Sequence, residues 1–127
     1  MSESPKTVLV IDDQEDERAI QSAMLGHLGY RVLEAAGGAA GLRTAAESPP
    51  DLIILDVAMP RMDGFSVCRE IRSNPRTADV PVLLYTASVL GDLEAQARVA
   101  GANGILAKPI DPHKVAAEVR RMIGPPL

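Results

Sequence analysis

The sequence predicts a single α/β domain, a parallel β-sheet with helices on both faces. Short runs rich in Val, Ile and Leu alternate with longer segments whose apolar residues recur at helical spacing, and this rhythm repeats five times. The 127 residues are enough for one domain, with an expected core over residues 6–123 and loose tails at 1–6 and 124–127. With 46% hydrophobic and 24% charged residues, the composition is globular and excludes a disordered or fibrous chain.

Five segments are predicted to be strands. They are Thr7–Ile11, Arg31–Ala35, residues 52–55, residues 80–85 and Gly104–Ala107. The first, third and fourth are almost continuously apolar, as expected for central strands that helices cover on both faces. The second alternates in polarity and the fifth is short, so both are placed at the edges. With right-handed crossovers this pattern favours the order 2-1-3-4-5 of the flavodoxin-like (βα)5 fold, a doubly wound sandwich.

Helical segments lie between these strands, each with one apolar stripe expected to face the core. The stripes are Ile20, Met24 and Leu28; Phe65, Cys68 and Ile71; and Val115, Val119, Met122 and Ile123. Gly29 and Gly101 follow helical runs and are expected to end them. Asp63 is predicted to be an N-cap or a turn residue, and Asp111 with Pro112 predicts an N-cap followed by proline at the first helical position.

Charge and cysteine content exclude several classes of function. The net charge is −4 and Arg120-Arg121 is the only basic doublet, so direct binding of DNA or RNA is disfavoured. Cys68 is the only cysteine, which excludes an intrachain disulfide, and its spacing from His27 and His113 does not suit zinc. We find neither a signal peptide nor a membrane-spanning stretch, and we expect a cytoplasmic protein.

Polar residues suited to chemistry stand at the carboxyl ends of the predicted strands. Asp12 and Asp13 follow the first strand, Asp56 the third, Thr86 the fourth and Lys108 the fifth. Because these ends border one crevice in an open α/β sheet, the five side chains are expected to converge there. Two like unit charges about 4 Å apart repel by about 4 kcal/mol at an effective dielectric near 20. The positive charge of one lysine is therefore not enough to compensate the repulsion among three ionised carboxylates. Mg²⁺ is the expected cofactor.

In context, these residues resemble the receiver domain of two-component response regulators. The matching segments are VLVIDDQ (8–14), DLIILDVAMPRMDG (51–64), PVLLYTAS (81–88) and GANGILAKPI (101–110). The resemblance implies that residues 1–127 are one receiver domain. It implies phosphorylation by a histidine kinase or a phosphotransfer protein in a Mg²⁺-dependent reaction, followed by a conformational change that a partner detects.

The resemblance also implies the ligands and the phosphoacceptor. Asp56 would accept the phosphoryl group. The Mg²⁺ ligands would be Asp12, Asp13, Asp56 and the backbone carbonyl of Ala58, with Asp12 binding directly or through water. A carboxylate nucleophile is known from aspartyl-phosphate chemistry and needs no catalytic triad.

Two further residues would contact the phosphoryl group. Thr86 would donate a hydrogen bond to it, and Lys108, followed by a cis peptide bond to Pro109, would pair with one of its oxygens. Receivers generally carry Tyr or Phe three residues before the lysine, whereas this chain has Ile105. In this family the face that transmits the signal to an unknown downstream protein is formed by the fourth helix, the fifth strand and the fifth helix. The resemblance leaves open whether the chain forms a homodimer.

Plainer interpretations exist for each residue alone. Asp12 and Asp13 would suit the start of a helix, Thr86 a strand and Lys108 a solvated surface, so the functional interpretation depends on their convergence.

Two other functions also remain open. A Mg²⁺-dependent aspartyl-phosphate phosphohydrolase would use the same nucleophile, but Ala58 stands where an acid–base carboxylate would be expected, two residues after Asp56. A receiver-shaped scaffold that works without phosphorylation would not need the complete set of polar residues. We therefore expect a signalling domain rather than an enzyme acting on external substrates.

Overall fold

A computed structural model of the chain describes residues 4–87, 92–109 and 111–127. The strands are β1 (Thr7–Ile11), β2 (Arg31–Ala35), β3 (Leu52–Asp56), β4 (Val82–Thr86) and β5 (Gly104–Ala107). The helices are α1 (Glu15–His27), α2 (Gly38–Glu47), α3 (Gly64–Ser73), α4 (Asp92–Ala100) and α5 (Pro112–Ile123). All neighbouring strands are parallel, in the order β2-β1-β3-β4-β5, which confirms the predicted fold.

The alternation of side chains along the strands divides the core into two layers. One layer contains Leu9, Ile11, Ile53, Leu55 and Leu84, which pack with buried residues of α2, α3 and α4. The other contains Val8, Val10, Leu52, Ile54, Leu83 and Tyr85, which pack with residues of α1 and α5. Because β1, β3 and β4 contribute to both layers, their residues are apolar almost without interruption, as the sequence indicated.

Helix α1 turns a different face to the core from the predicted one. Ile20 and Leu28 are 59% and 37% exposed, whereas Gln21 and Leu25 are buried and Met24 is half-buried. At about 100° per residue, burial of Leu25 places Ile20 about 140° around the helix, away from the sheet. The predicted α1 stripe was therefore wrong at two of its three positions.

The stripes predicted for the other two helices face the core. In α3, Cys68 and Ile71 are buried and Phe65 is half-buried. In α5, the buried residues are Val115 and Val119.

Strands β3 and β4 each end one residue later than predicted (52–55 and 80–85). The polar residue that follows each predicted strand is therefore the last residue of that strand. Strand β4 also begins later, at Val82. Pro81 has no N–H to donate to the ladder, and the N–H of Val80 is bonded within the preceding turn at 3.0 Å.

The helix ends follow the predicted capping chemistry. Gly29 and Gly101 have φ of 103° and 96°, a left-handed conformation that favours glycine. Asp63 accepts a hydrogen bond from the N–H of Ser66 at 2.8 Å, as an N-cap does. Asp111 likewise caps α5, whose first residue is a proline.

The C-terminal residues are not the loose tail that we expected. The Pro126 carbonyl accepts a hydrogen bond from the N–H of Lys6 at 2.9 Å, and the Gly124 carbonyl accepts one from the Tyr30 hydroxyl at 2.7 Å. These partners are far away in sequence, so local composition gave no sign of them. Of the expected N-terminal tail, residues 1–3 lie outside the described part. Among the described residues, no helix combines the length and apolar character needed to cross a membrane.

The Arg72 side chain joins three segments at the amino edge of β4. Its guanidinium donates to the carbonyls of Gly101, Ala78 and Val80 at 2.9, 3.0 and 2.6 Å. It also donates to the Asn103 side chain at 2.9 Å. The end of α3, the turn before β4 and the turn before β5 are thus connected through one half-buried side chain.

We predict that Arg72→Met lowers the free energy of unfolding by about 2 kcal/mol, because it leaves several carbonyls without their donor. Urea unfolding measures this change. Arg69→Met is the matched control, since Arg69 is exposed on the same helix and bonds only its neighbour Ser66 among the described contacts. Equal losses in the two variants would contradict the prediction.

Candidate functional site

Three carboxylates meet at the carboxyl edge of the sheet. Asp12 and Asp13 directly follow β1, and Asp56 is the last residue of β3. One ligand oxygen from each residue lies within 4.8 Å of those of the other two. Asp12 is 0% and Asp56 1% exposed, and Asp13 is half-buried. The structure thus brings together the three acidic residues that the sequence singled out.

The loop after β3 folds closely around Asp56. The N–H of Ala58 donates to Asp56 Oδ1 at 3.1 Å, and the N–H of Gly64 donates to the Val57 carbonyl at 2.8 Å. A Cβ on Gly64 would lie 2.5 Å from the Asp56 carbonyl oxygen, so only glycine fits this close approach.

Lys108 places its ammonium group between two carboxylates. Its Nζ lies 3.2 Å from Asp56 Oδ2 and 2.8 Å from Glu17 Oε2, and 5.1 Å from the centre of the Tyr85 ring. Its backbone N–H donates to the carbonyl of Thr86 at 2.7 Å, which connects the ends of β4 and β5. The peptide bond from Lys108 to its following proline is cis, as the resemblance implied.

Asp12 is held by a second set of donors. The Tyr85 hydroxyl donates to Asp12 Oδ2, and the N–H of Gln14 donates to Asp12 Oδ1 at 2.8 Å. Arg18 donates to the Asp12 backbone carbonyl at 2.7 Å. Both carboxylate oxygens of this buried side chain therefore have protein partners.

Sequence reasoning missed two residues of this site, Glu17 and Tyr85. Glu17 lies in the first turn of α1 beside Glu15 and Asp16, and nothing local distinguishes it from these helix-start acids. Tyr85 left a clearer signal. A phenol near the end of a central strand will be buried, and a buried phenol hydroxyl needs a hydrogen-bond partner.

Burial has the largest effect on the pKa values of Asp12 and Asp56. It raises the pKa of Asp12 from 3.8 to about 6, against the lowering effect of the hydrogen bonds from Tyr85 and Gln14. Burial also raises the pKa of Asp56, although the hydrogen bond and charge of Lys108 oppose it. Burial lowers the pKa of Lys108, but its hydrogen bonds to Glu17 and Asp56 outweigh that effect and leave it raised.

The donor set fits a hard divalent cation. Asp13 Oδ1 is buried and has no hydrogen-bond partner among the described residues, although it stands beside two further carboxylates. A carboxylate oxygen left in this way is costly unless a cation binds it. Oxygen donors of this kind are the ligands that Mg²⁺ prefers.

Residues 8–120 match the sequence model of the response regulator receiver domain. The chain belongs to this family. It is a receiver domain of two-component response regulators, a family whose role is signalling. Receiver domains bind Mg²⁺ at an acidic pocket and interact with histidine kinases or phosphotransfer proteins and with effector domains.

Related proteins share the receiver and differ in length. The receiver is 40% identical over 118 residues to the "DNA-binding dual master transcriptional regulator RpaA" of a Synechocystis species, covering 91% of this chain and 48% of that protein. It is 41% identical over 115 residues to the response regulator PleD of Caulobacter vibrioides, covering 91% of this chain and 25% of PleD. The probable chemotaxis protein CheY of Rhizobium etli is 36% identical, with 92% of each chain covered. The chain thus spans half or less of the first two relatives.

Solved receiver structures agree with the fold. Vibrio cholerae CheY4 superposes with a TM-score of 0.90 at 31% identity, covering 94% of this chain and 99% of that one. The receiver domain of the Pseudomonas aeruginosa sensor histidine kinase PA1611 has a TM-score of 0.87 at 33% identity, covering 95% and 99% of the two chains. In that structure a magnesium ion is coordinated in the active-site cleft.

The raised pKa of Asp12 predicts a pH dependence of stability. The folded receiver binds this proton more tightly than the unfolded chain, whose carboxyl keeps the ordinary pKa of 3.8 rather than about 6. Without metal, the Asp12 contribution to stability should therefore fall as the pH rises from about 4 to about 6, by on the order of 2–3 kcal/mol. Urea unfolding in the presence of a chelator measures it.

Asp12→Asn should lack this fall, because the amide does not titrate in this range. Asp79→Asn, which changes an exposed residue in the turn before β4, should keep it and serves as the control. Parallel pH profiles for the two variants would refute this assignment.

Proposed function

We propose that this receiver accepts a phosphoryl group on Asp56 from a histidine kinase or a phosphotransfer protein, in a Mg²⁺-dependent reaction. The observation that carries the proposal is the position of Asp56. Its carboxylate is almost fully buried, lies 3.2 Å from the Lys108 ammonium and stands beside the buried Asp13 oxygen that has no described hydrogen-bond partner. A buried structural aspartate would be paired with a cation, but it would not also stand beside a second carboxylate oxygen that has no described partner.

The proposed Mg²⁺ ligands are Asp12, Asp13, Asp56 and the backbone carbonyl of Ala58. Bound Mg²⁺ would offset negative charge on the phosphoryl oxygens during transfer. Support comes from the clustering of the three carboxylates within 4.8 Å. Since both oxygens of Asp12 already accept hydrogen bonds, Asp13 has the oxygen most available for direct binding.

The Asp56 carboxylate is the proposed nucleophile. One of its oxygens forms a bond to phosphorus as the phosphorus–nitrogen bond of the phosphohistidine breaks, and the leaving imidazole keeps the bonding electron pair. An ionised carboxylate needs no general base. Lys108 and the N–H of Ala58 favour this ionised form against the effect of burial, which explains why they contact Asp56 directly.

Thr86 and Lys108 are the proposed contacts of the phosphoryl group. Lys108 would pair with a phosphoryl oxygen, and its present distance from Asp56 Oδ2 supports this role. Thr86 would donate a hydrogen bond from its hydroxyl to the phosphoryl group, and its position as the last residue of β4 supports this. The hydrogen bond between their backbones would then couple the two responses.

We place the output at the face formed by α4, β5 and α5. A cavity of about 260 Å³ opens there, and its lining includes Tyr85, Ile105, Pro109 and Lys114. Ile105 is half-buried and packs on the core layer that contacts α4. The net charge of −4 favours a protein partner over nucleic acid, and the single free thiol of Cys68 agrees with a cytoplasmic location.

Incubation with a small phosphodonor and Mg²⁺ should add one phosphoryl group per chain, measured by intact mass. Asp56→Asn should remain unmodified, whereas Asp79→Asn, an exposed control, should be modified like the unchanged chain. A chelator should prevent the reaction, because the clustered carboxylates need a cation. Equal labelling of Asp56→Asn would disprove the proposal.

Phosphorylation should alter amide chemical shifts strongly around Asp56 and Lys108 and only modestly around Ile105. A β-branched side chain is stiff and moves fewer atoms than a phenol ring, so coupling to the output face should be weak. Ile105→Tyr should enlarge the distal response, as followed by NMR. A distal response in the unchanged chain as large as in Ile105→Tyr would show that the aromatic is dispensable. In that case another segment would carry the signal, and the sequence suggests the loop 87–91. Most of this loop lies outside the described residues.

A further inference from the structure

Among the described residues, two carboxylates contact the Lys108 ammonium group, and the proposed chemistry does not use one of them, Glu17. Its Oε2 lies 2.8 Å from Lys108 Nζ, closer than the 3.2 Å between that nitrogen and Asp56 Oδ2. The side chains of Glu17 and Lys108 are 35% and 17% exposed, so the pair is partly shielded from solvent. The neighbouring acids of the same helical turn, Glu15 and Asp16, are exposed.

The two carboxylates compete for one ammonium group. The Lys108 ammonium group has three N–H donors and one positive charge. It donates one hydrogen bond to Glu17 on α1 and another to Asp56 on β3, so the two carboxylates share that charge. A phosphoryl group on Asp56 brings further negative charge and strong acceptor oxygens to the same place. The phosphoryl group would draw the Lys108 ammonium group away from Glu17, and the negative charge of Glu17 would oppose this movement.

We propose that Glu17 is a positioning residue that holds Lys108 in the unphosphorylated receiver and so sets the level of phosphodonor at which the domain switches. This inference rests on the proposed phosphorylation of Asp56. In the unphosphorylated state the Glu17 contact restrains the ammonium group from full engagement with Asp56. In the phosphorylated state Lys108 leaves Glu17 for a phosphoryl oxygen, and the Glu17 carboxylate is left to solvent.

Removing the charge of Glu17 should therefore stabilise the phosphorylated form. Glu17→Gln keeps the length of the side chain and an oxygen that can accept from Lys108, but it removes the competing charge. For a partly shielded pair of this geometry we expect an effect of about fivefold on affinity for a phosphoryl group. Glu15→Gln removes the same charge from the same turn without touching Lys108, and should change the affinity by less than about twofold.

The test is a titration with beryllofluoride, a non-covalent mimic of a phosphoryl group, at saturating Mg²⁺. NMR shifts of the Lys108 side chain and of the backbone amides measure binding in the unchanged chain, Glu17→Gln, Glu15→Gln and Asp56→Asn. We expect about fivefold tighter binding for Glu17→Gln, little change for Glu15→Gln and none detected for Asp56→Asn. Glu17→Ala, which also removes the hydrogen bond, should bind at least as tightly as Glu17→Gln.

A purely structural ion pair predicts a different outcome. Loss of the pair would then lower stability in urea and leave the affinity for beryllofluoride unchanged or weaker in both Glu17 variants. That result would overturn the inference while leaving the proposed function intact. Failure of the unchanged chain to bind beryllofluoride at all would instead overturn the proposed function, and the inference with it.

Discussion

The burial of carboxylates at one edge of the sheet is the constraint on which the site depends. Asp12 and Asp56 are almost fully buried, and burial raises the pKa of both carboxyl groups because the interior accommodates their charge poorly. The Tyr85 hydroxyl, the backbone N–H of the following residues and the Lys108 ammonium compensate part of it. The compensation is incomplete at Asp13, whose buried oxygen has no described partner. A divalent cation bound at Asp13, as we propose, would complete it.

The fold creates this constraint as a by-product of its own stability. Strands β1 and β3 are apolar because helices cover them on both sides, and the same covering helices exclude water from the residues that end these strands. The parallel arrangement brings those ends to one edge. Gly64 then lets the loop after β3 approach the Asp56 backbone closely. The apolar core and the acidic site are therefore two consequences of one strand pattern.

Much of this could be predicted from the sequence because its signals are local. Apolar runs gave the strands and their order, and the residues that follow the runs gave the three aspartates. The rotation of α1 was missed because the helix has few large apolar residues, and Leu25 rather than Ile20 decided which face is buried. Asp12, Asp56 and Lys108 were found because each directly follows a predicted strand. Glu17 and Tyr85 were missed because neither does: Glu17 lies in the first turn of α1, and Tyr85 lies inside β4.

The proposed phosphorylation makes the Asp56 carboxylate an acyl phosphate. Borohydride reduces an acyl phosphate to the corresponding alcohol, which converts the modified aspartate to homoserine, and peptide mass spectrometry then locates it. After treatment with a phosphodonor and Mg²⁺, we predict homoserine at position 56 and nowhere else, and none when a chelator is present. Homoserine at Asp12 or Asp13, or a phosphorylated chain that yields no homoserine at all, would contradict the account.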